Sequence, residues 1–300
     1  MTQSKMHNNE YAYSEIFDSI QGEGEYTGYP TAWLRFYLCN LQCNGFSQDD
    51  PTDPSTYKLP YKDFDIIEVN RLEELPVWEY GCDSSYSWSK KFKHLQHRFT
   101  SREIADKIRA EFTNEHNEGK WLDRHMCFTG GEPLMKHAQL CTMEVMQHYL
   151  YDGDYPKFIT YETNGTQKLS QEFKDFWLQE TEFILPELFF SLSPKLWSVA
   201  GEERKKAIKP DIVAEYRELS STGHLKFVLG HEEHQWDEME EVLELFRQVG
   251  VDYPVYIMPV GAREEEQVET AGKVAKMAFE RGYNVSARVH VYLFGNAIGT

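Results

Sequence analysis

The chain has 300 residues, of which 41% are hydrophobic and 14% aromatic, so it can bury a sizeable core and is not intrinsically disordered. Its 49 acidic and 31 basic side chains give a formal charge of −18, which repels phosphate backbones and argues against a nucleic-acid partner. The sequence has no apolar run long enough to span a membrane and starts without a signal peptide, so we expect a cytoplasmic, reducing location and no membrane partner. In that setting, five cysteines indicate ligands, nucleophiles or buried side chains rather than disulfides.

From residue 31 onwards, strand-like runs alternate with helix-like runs, which predicts an α/β fold with a parallel sheet and helices outside it. The predicted strands span 31–38, 125–128, 157–161, 188–192, 224–229, 255–258 and 285–292. The predicted helices follow the capping box at Thr100 and cover about 136–150, 170–179, 234–249 and 264–281.

Two stretches interrupt this alternation without being large enough for separate domains, so residues 1–300 are interpreted as one domain. Residues 44–81 are rich in aspartate and proline and predict an inserted loop, with room for a short hairpin. Residues 196–222 are charged and predicted to be helical, as a second, smaller insertion.

Polar clusters follow four of the predicted strands at the point where each strand ends. They are Cys39, then Thr129 to Glu132, then Glu162 to Gly165, and finally Ser193 to Lys195. Because the carboxyl ends of parallel strands meet at one edge of a sheet, these clusters predict a single ligand site there.

The cysteines suggest a metal centre. Cys39 and Cys43 lie four residues apart in a turn, and thiolates suit zinc or iron–sulfur clusters. A structural zinc site would normally show a second cysteine pair, which the sequence lacks. Cys82, in a polar turn, is the natural third thiol, and three thiols would leave one iron of a four-iron cluster open. Cys127 is the rival third ligand, the absence of any cluster is a further alternative, and Cys141 is expected in the core.

A set of motifs then resembles a known family. In chain order they are Ser19-Ile-Gln-Gly-Glu-Gly24, Leu34-Arg35, Cys39-Asn-Leu-Gln-Cys43, Cys82-Asp-Ser84, Thr129-Gly-Gly-Glu-Pro133, Glu162-Thr-Asn-Gly165 and Ser193-Pro-Lys195. They resemble the radical S-adenosylmethionine enzymes and, more narrowly, the 7-carboxy-7-deazaguanine synthase family. The resemblance implies a partial (β/α)6-type barrel, a parallel sheet with helices outside.

The cysteine motif departs from the family pattern of C-x3-C-x2-C followed by aspartate and threonine or serine. Phe46 occupies the third cysteine position, and the pattern resumes at Cys82. We interpret residues 44–81 as an insertion inside the motif, which makes the cluster ligands Cys39, Cys43 and Cys82. Closing the longer loop costs little more conformational entropy, since the cost grows only with the logarithm of its length.

The resemblance implies cofactor roles for residues at the predicted edge. The cluster would be a 4Fe–4S cluster whose open iron binds S-adenosylmethionine. The residues expected to contact S-adenosylmethionine are Gly130, Gly131, Glu132, Glu162, Asn164, Ser193 and Lys195. No protein side chain is expected to act as the catalytic group, because a 5′-deoxyadenosyl radical abstracts the hydrogen atom.

The implied substrate is 6-carboxy-5,6,7,8-tetrahydropterin. Its carboxylate calls for a fork-shaped cation, and Arg35 matches the family's arginine. Gln21, Glu23, Thr129 and Thr300 complete the expected substrate contacts, with the C-terminal end folding back over the substrate. Ser84 occupies the position through which the family holds Mg²⁺, and a solvated turn serine is the alternative.

The implied reaction contracts the pterin ring and releases ammonia, giving 7-carboxy-7-deazaguanine for queuosine or other 7-deazapurine biosynthesis. The family also implies a homodimer and an electron donor such as flavodoxin. Two other hypotheses remain at this point. One is a radical S-adenosylmethionine activase of a glycyl-radical enzyme, and the other is a non-catalytic zinc-binding interaction protein.

Overall fold

The computed structural model describes residues 9–179, 184–295 and 297–299, and its described part is built around one sheet. The strands are β1 (Glu10–Ile20), β2 (Pro30–Phe36), β3 (His97–Thr100), β4 (His125–Gly130), β5 (Phe158–Thr163), β6 (Glu187–Leu192), β7 (Gly223–Leu229), β8 (Val255–Pro259) and β9 (Asn284–Val285). Their order across the sheet is β3-β1-β2-β4-β5-β6-β7-β8-β9.

Helices connect these strands. They are α1 (Pro60–Asp63), α2 (Ser101–Phe112), α3 (Lys136–Asp152), α4 (Gln171–Leu178), α5 (Trp197–Ala200), α6 (Arg204–Ala207), α7 (Pro210–Leu219), α8 (Glu233–Gln248), α9 (Glu264–Glu280) and α10 (Val289–Phe294). Among the described residues, no helix combines the length and the apolar character that crossing a membrane would need.

The strands from β2 to β8, without β3, form six consecutive parallel strands. Neighbouring helices on the outside pack against one another and against the sheet, and the large apolar core lies between them. The predicted partial barrel with external helices is therefore confirmed. The sequence prediction missed β1, which pairs antiparallel with β2, and β3, which pairs with β1.

The predicted last strand, 285–292, is wrong. Pairing with β8 is limited to β9, and the Ser286 N–H still donates to the Ile257 carbonyl at 2.8 Å. The chain then turns so that the Val289 N–H donates to the Gly22 carbonyl at 2.9 Å, and α10 follows. The valines of this stretch favour a strand locally, but these contacts with the loop after β1 draw the chain out of the sheet.

The 44–81 segment, the predicted insertion, contributes to a small second core, called here the insertion core, and shows no hairpin in the described residues. Besides α1 it contains the 3-10 turns Pro54–Thr56 and Leu72–Glu74, and Ser85–Ser87 and Lys90–Leu95 follow it. The buried members of the insertion core are Tyr61, Leu72, Leu75 and Trp78 of this segment and Tyr86, Phe92 and Leu95 after it, with Ile298 of the C-terminal tail packed against them. The second excursion, 196–222, is helical as predicted and carries α5, α6 and α7.

Candidate functional site

The three cysteines of the interrupted motif meet at one cavity above the carboxyl edge of the parallel strands. Cys39, Cys43 and Cys82 all line this cavity, and all three pack in the same apolar cluster with Leu41 and Ala200. The structure thus brings Cys82 to the Cys39–Cys43 turn, although 38 residues separate it from Cys43 in the sequence.

The two ends of the 44–81 segment, the predicted insertion, meet beside the cysteine loop. The Gly81 N–H donates to the Phe46 carbonyl at 2.9 Å, so the residues on either side of the 47–80 segment are hydrogen-bonded neighbours. This contact delivers Cys82 to the position next to Cys43. The Phe46 ring, at the family's third cysteine position, lies 5.6 Å from the Lys195 ammonium.

Burial raises the pKa of all three thiols, to about 12 for Cys39 and about 11 for Cys82. The Lys195 ammonium opposes this shift at each of them. Thiolates bind metal in the deprotonated form, so Lys195 favours the binding-competent state. In the part of the chain that the structure describes, no group of three or more His, Cys, Asp or Glu side chains converges on a single-ion site.

The other two cysteines lie apart from this group. Cys127, on β4, is fully buried in a cluster with Phe17 and Trp33 and does not line the cavity. Cys141 is fully buried in the main core on α3. The structure therefore places the rival third ligand within the protein interior, away from the Cys39–Cys43 turn.

The Gly130-Gly131 turn packs directly on the cysteine loop. A Cβ at Gly131 would lie 2.2 Å from the Leu38 carbonyl oxygen, so only glycine allows this approach. The Glu132 N–H also donates to that carbonyl at 2.8 Å. Both glycines line the cavity, which puts the backbone of the turn beside the three thiols.

Glu132 itself faces away from the cavity. Its carboxylate accepts hydrogen bonds from the Thr163 hydroxyl at 2.7 Å, the Asn164 N–H at 2.8 Å and the Leu134 N–H at 3.0 Å. Burial raises its pKa to about 7 despite these donors. Glu132 thus ties the loop after β4 to the loop after β5, and it holds Asn164, whose amide lies 3.9 Å from the Cys39 sulfur.

Glu162 belongs to a different part of the cavity from Asn164. Its two carboxylate oxygens accept hydrogen bonds from the Gln21 amide at 3.2 Å and the Thr129 hydroxyl at 3.1 Å. The resemblance implied a cofactor contact for Glu162 and substrate contacts for Gln21 and Thr129. In the structure, Gln21, Thr129 and Glu162 form one hydrogen-bonded group on the cavity wall. This group marks what is called the inner part of the cavity below.

A buried charge network that the sequence did not reveal closes this inner part. Glu23 forms ion pairs with Lys226 and with Arg288 at 3.0 Å, and the ring of His290, whose pKa burial lowers to about 4, lies 3.9 Å away. Burial alone would raise the pKa of Glu23, but Lys226 and Arg288 hold it well below its usual range. Arg288 also pairs with Asp83 at 3.0 Å, which links the C-terminal segment to the residue after Cys82.

Arg35 lines the cavity and has a buried acidic partner. Its Nε donates to Glu15 at 2.5 Å, and the Tyr86 hydroxyl donates to the same oxygen at 2.8 Å. Within the described residues, the two terminal nitrogens of Arg35 make no hydrogen bond, so they can serve a ligand. A lysine or arginine inside a buried strand, such as Lys226 or Arg35, is the signal by which this network could have been found.

The remaining predicted residues also lie at the cavity. Ser84 lines it and donates to Asp83 at 3.1 Å. Ser193 and Lys195 line it as well, with the ammonium donating to the Ser193 hydroxyl at 2.9 Å. Thr300 lies outside the described residues, whereas 297–299 of the C-terminal tail line the cavity.

Gly45 offers a test of the cysteine loop. A Cβ there would lie 2.5 Å from the Gly201 nitrogen and 2.6 Å from the Ala200 carbonyl carbon, both backbone atoms. We expect Gly45→Ala to push the loop outwards, to cost about 1–3 kcal/mol of stability and to lower bound iron after reconstitution. Gly272→Ala is the matched control, because its Cβ would meet open space on α9. Equal iron content in both variants would contradict the prediction.

The similar proteins found by sequence comparison, given below, share one name. No family model matches the chain. It is 23% identical over 279 residues to the 7-carboxy-7-deazaguanine synthase of Rickettsia prowazekii (strain Madrid E), covering 93% of this chain and 86% of the relative. It is 26% identical over 274 residues to the synthase of the same name from Aquifex aeolicus (strain VF5), covering 91% and 88%.

Among solved structures, the chain resembles the crystal structure of QueE from Escherichia coli. The TM-score is 0.52 at 17% identity, and the match covers 94% of this chain and 95% of the other. The chain therefore shares the fold of this structure, with its six parallel strands from β2 to β8. Over nearly its whole length, the chain is similar to proteins named 7-carboxy-7-deazaguanine synthase.

Proposed function

We propose that this enzyme is a carbon–nitrogen lyase that converts 6-carboxy-5,6,7,8-tetrahydropterin to 7-carboxy-7-deazaguanine with release of ammonia. The observation that carries the proposal is the meeting of Cys39, Cys43 and Cys82 at one cavity whose inner part holds Arg35 and Glu162. The relatives reported above are named for this synthase, which favours it over the activase and the zinc-binding hypotheses.

The cofactor residues fit a 4Fe–4S cluster with S-adenosylmethionine. Three thiols share one apolar cluster beside a lysine, and within the described residues no fourth cysteine lines the cavity. When bound, the two cofactors supply the 5′-deoxyadenosyl radical. Backbone groups of Gly130 and Gly131 would hold the methionyl end, with Asn164, Ser193 and Lys195 beside it, and Glu132 would act by fixing Asn164.

The inner residues fit the pterin. Arg35 would pair with the substrate carboxylate through its terminal nitrogens. Gln21, Thr129 and Glu162 form a connected set of donors and acceptors suited to a fused ring with several polar edges. We therefore assign Glu162 to the substrate. Glu23 would act indirectly, through its ion pairs with Lys226 and Arg288 at the inner part of the cavity.

Mg²⁺ is proposed at Ser84, whose hydroxyl lines the cavity next to Asp83. Mg²⁺ prefers oxygen ligands and keeps several waters, so one hydroxyl together with substrate oxygens can hold it. We expect Ser84→Ala to raise the Mg²⁺ concentration needed for half-maximal activity by at least about tenfold, and Ser84→Thr to leave it unchanged. The measurement is activity against Mg²⁺ concentration after chelation. An unchanged requirement in Ser84→Ala would remove the ion from this residue.

The proposal also covers the pathway, the cellular location and the partner proteins. The product would enter queuosine or another 7-deazapurine pathway. We propose a cytoplasmic homodimer, reduced by a carrier such as flavodoxin. The reducing location is supported by five free cysteines among the described residues.

The decisive experiment is anaerobic reconstitution followed by incubation with the tetrahydropterin, S-adenosylmethionine and dithionite. We expect about four irons per chain, a broad visible absorption band, and a product of the mass of 7-carboxy-7-deazaguanine with one ammonia released. The Cys39→Ala variant is the control that should yield no product. Fully reconstituted enzyme that forms no ring-contracted product would end the proposal.

A further inference from the structure

A basic segment at residues 204–209 stands out on a chain of net charge −18. It contains Arg204, Lys205, Lys206 and Lys209, and the first three are exposed on α6. Arg204 pairs with Glu241 at 2.8 Å and Lys206 with Glu202 at 3.2 Å, so within the described residues Lys205 and Lys209 carry the uncompensated positive charge of the segment.

The inner side of the basic segment packs on the cysteine loop. Ala207 lies in the apolar cluster with Leu41 and Cys43, and α5, just before the segment, joins the same cluster through Ala200. The Gly45 N–H donates to the Ala200 carbonyl at 3.0 Å. The segment and α5 therefore form the outer wall of the loop that carries Cys39 and Cys43.

A hydrogen-bonded path crosses this wall. The Lys206 ammonium pairs with one oxygen of Glu202 at 3.2 Å. The other oxygen of Glu202 accepts the N–H groups of Gln42 at 2.6 Å and Cys43 at 2.7 Å. Only one buried side chain thus separates a surface ammonium from the backbone of a proposed cluster ligand.

A surface groove lies over the same place, and Gln42 lines both this groove and the substrate cavity. Gln42 and Asn44 of the cysteine loop line it, with Glu203 and Lys206 on one side. Lys62 of the insertion lines the other side and is exposed. The groove is thus a second approach to the cluster loop, and its charged lining consists of Lys62 and Lys206 together with Glu202 and Glu203.

A second basic run provides an internal comparison. Lys90, Lys91 and Lys93 lie on the 3-10 turn Lys90–Leu95, whose buried side chains Phe92 and Leu95 belong to the insertion core. None of these residues packs in the cluster that holds the three cysteines. Charge alone therefore does not distinguish the two runs, whereas contact with the cysteine loop does.

We infer that the basic segment is the docking surface of an acidic one-electron carrier protein of the flavodoxin type, an inference that rests on the proposed function. The carrier would lose one electron and the cluster would gain one, with no atom transferred. Because the net charge of −18 repels an acidic protein, such a partner is expected to bind where basic side chains make the local potential positive. The segment is such a patch, and it adjoins the loop that carries two of the proposed cluster ligands.

The test compares two double charge reversals, Lys205→Glu with Lys209→Glu, and Lys90→Glu with Lys93→Glu. The first readout is the dissociation constant for an acidic flavodoxin, measured by calorimetry at low and high salt. We expect the first pair to weaken binding by about tenfold or more at low salt, with the difference shrinking as salt rises. The second pair should bind like the wild type.

The second readout is the rate of cluster reduction, followed by absorbance after mixing. The first pair should slow reduction by reduced flavodoxin and leave reduction by dithionite unchanged. An equal loss in both pairs, no loss in the first pair, or no binding to the wild type would overturn the inference. Product formation with dithionite does not involve the carrier, so it tests the proposed function separately.

Discussion

Cys82→Ala is expected to abolish the iron–sulfur cluster while leaving the fold intact. Cys82 lines the cavity with Cys39 and Cys43, and within the described residues no other cysteine lines it to replace the lost thiolate. Iron per reconstituted chain should fall from about four to near background, and the visible absorption band should disappear. Circular dichroism should show an unchanged secondary structure.

Cys127→Ala is the matched control for that result. Its thiol packs with Phe17 and Trp33, which line the cavity, so its loss removes apolar contact and lowers stability while the three cavity thiols stay in place. We expect full iron content together with a lower melting temperature. If Cys127→Ala lost the cluster and Cys82→Ala kept it, the interpretation of residues 44–81 as an insertion within the motif would be wrong.

The parallel strands could be predicted because their signals are local. Runs such as 125–128 and 224–229 are apolar, short and bounded by turn residues, and the structure extends them by only one or two residues at an end. The polar clusters after these runs were predicted to share an edge, and the cavity gathers residues from all four.

β1 was missed because its burial does not alternate. Tyr11 to Glu15 are all buried, since this strand is covered on both faces, and the run includes Ser14 and Glu15. A polar residue in a run without periodicity gives no strand signal. The same omission hid Glu15, the buried partner of Arg35.

The charge network was beyond prediction for a different reason. Glu23, Asp83, Lys226 and Arg288 are distant in sequence, and each one alone is an ordinary charged residue. Only the fold brings them together, with the turn after β9 delivering Arg288. The error in the predicted last strand and the missed network therefore have one cause, a tertiary interaction that overrides local strand preference.

Arg35→Ala is expected to have two separable effects. Loss of a charge-assisted pair with the substrate carboxylate should weaken pterin binding by about 10- to 100-fold. The variant also leaves Glu15 buried without its cation, which should lower stability by about 3–5 kcal/mol. Arg35→Lys should lose less affinity, because a point charge keeps the attraction but not the fork. Calorimetry with the cluster oxidised measures binding without turnover.

The double variant Arg35→Ala with Glu15→Gln separates the two effects. Glutamine removes the uncompensated charge and can still accept the hydrogen bond from Tyr86, so stability should return close to that of the wild type. Pterin affinity should stay low, since the guanidinium is still absent. If affinity recovered together with stability, Arg35 would act through the fold alone, and the carboxylate of the substrate would have to bind elsewhere in the cavity.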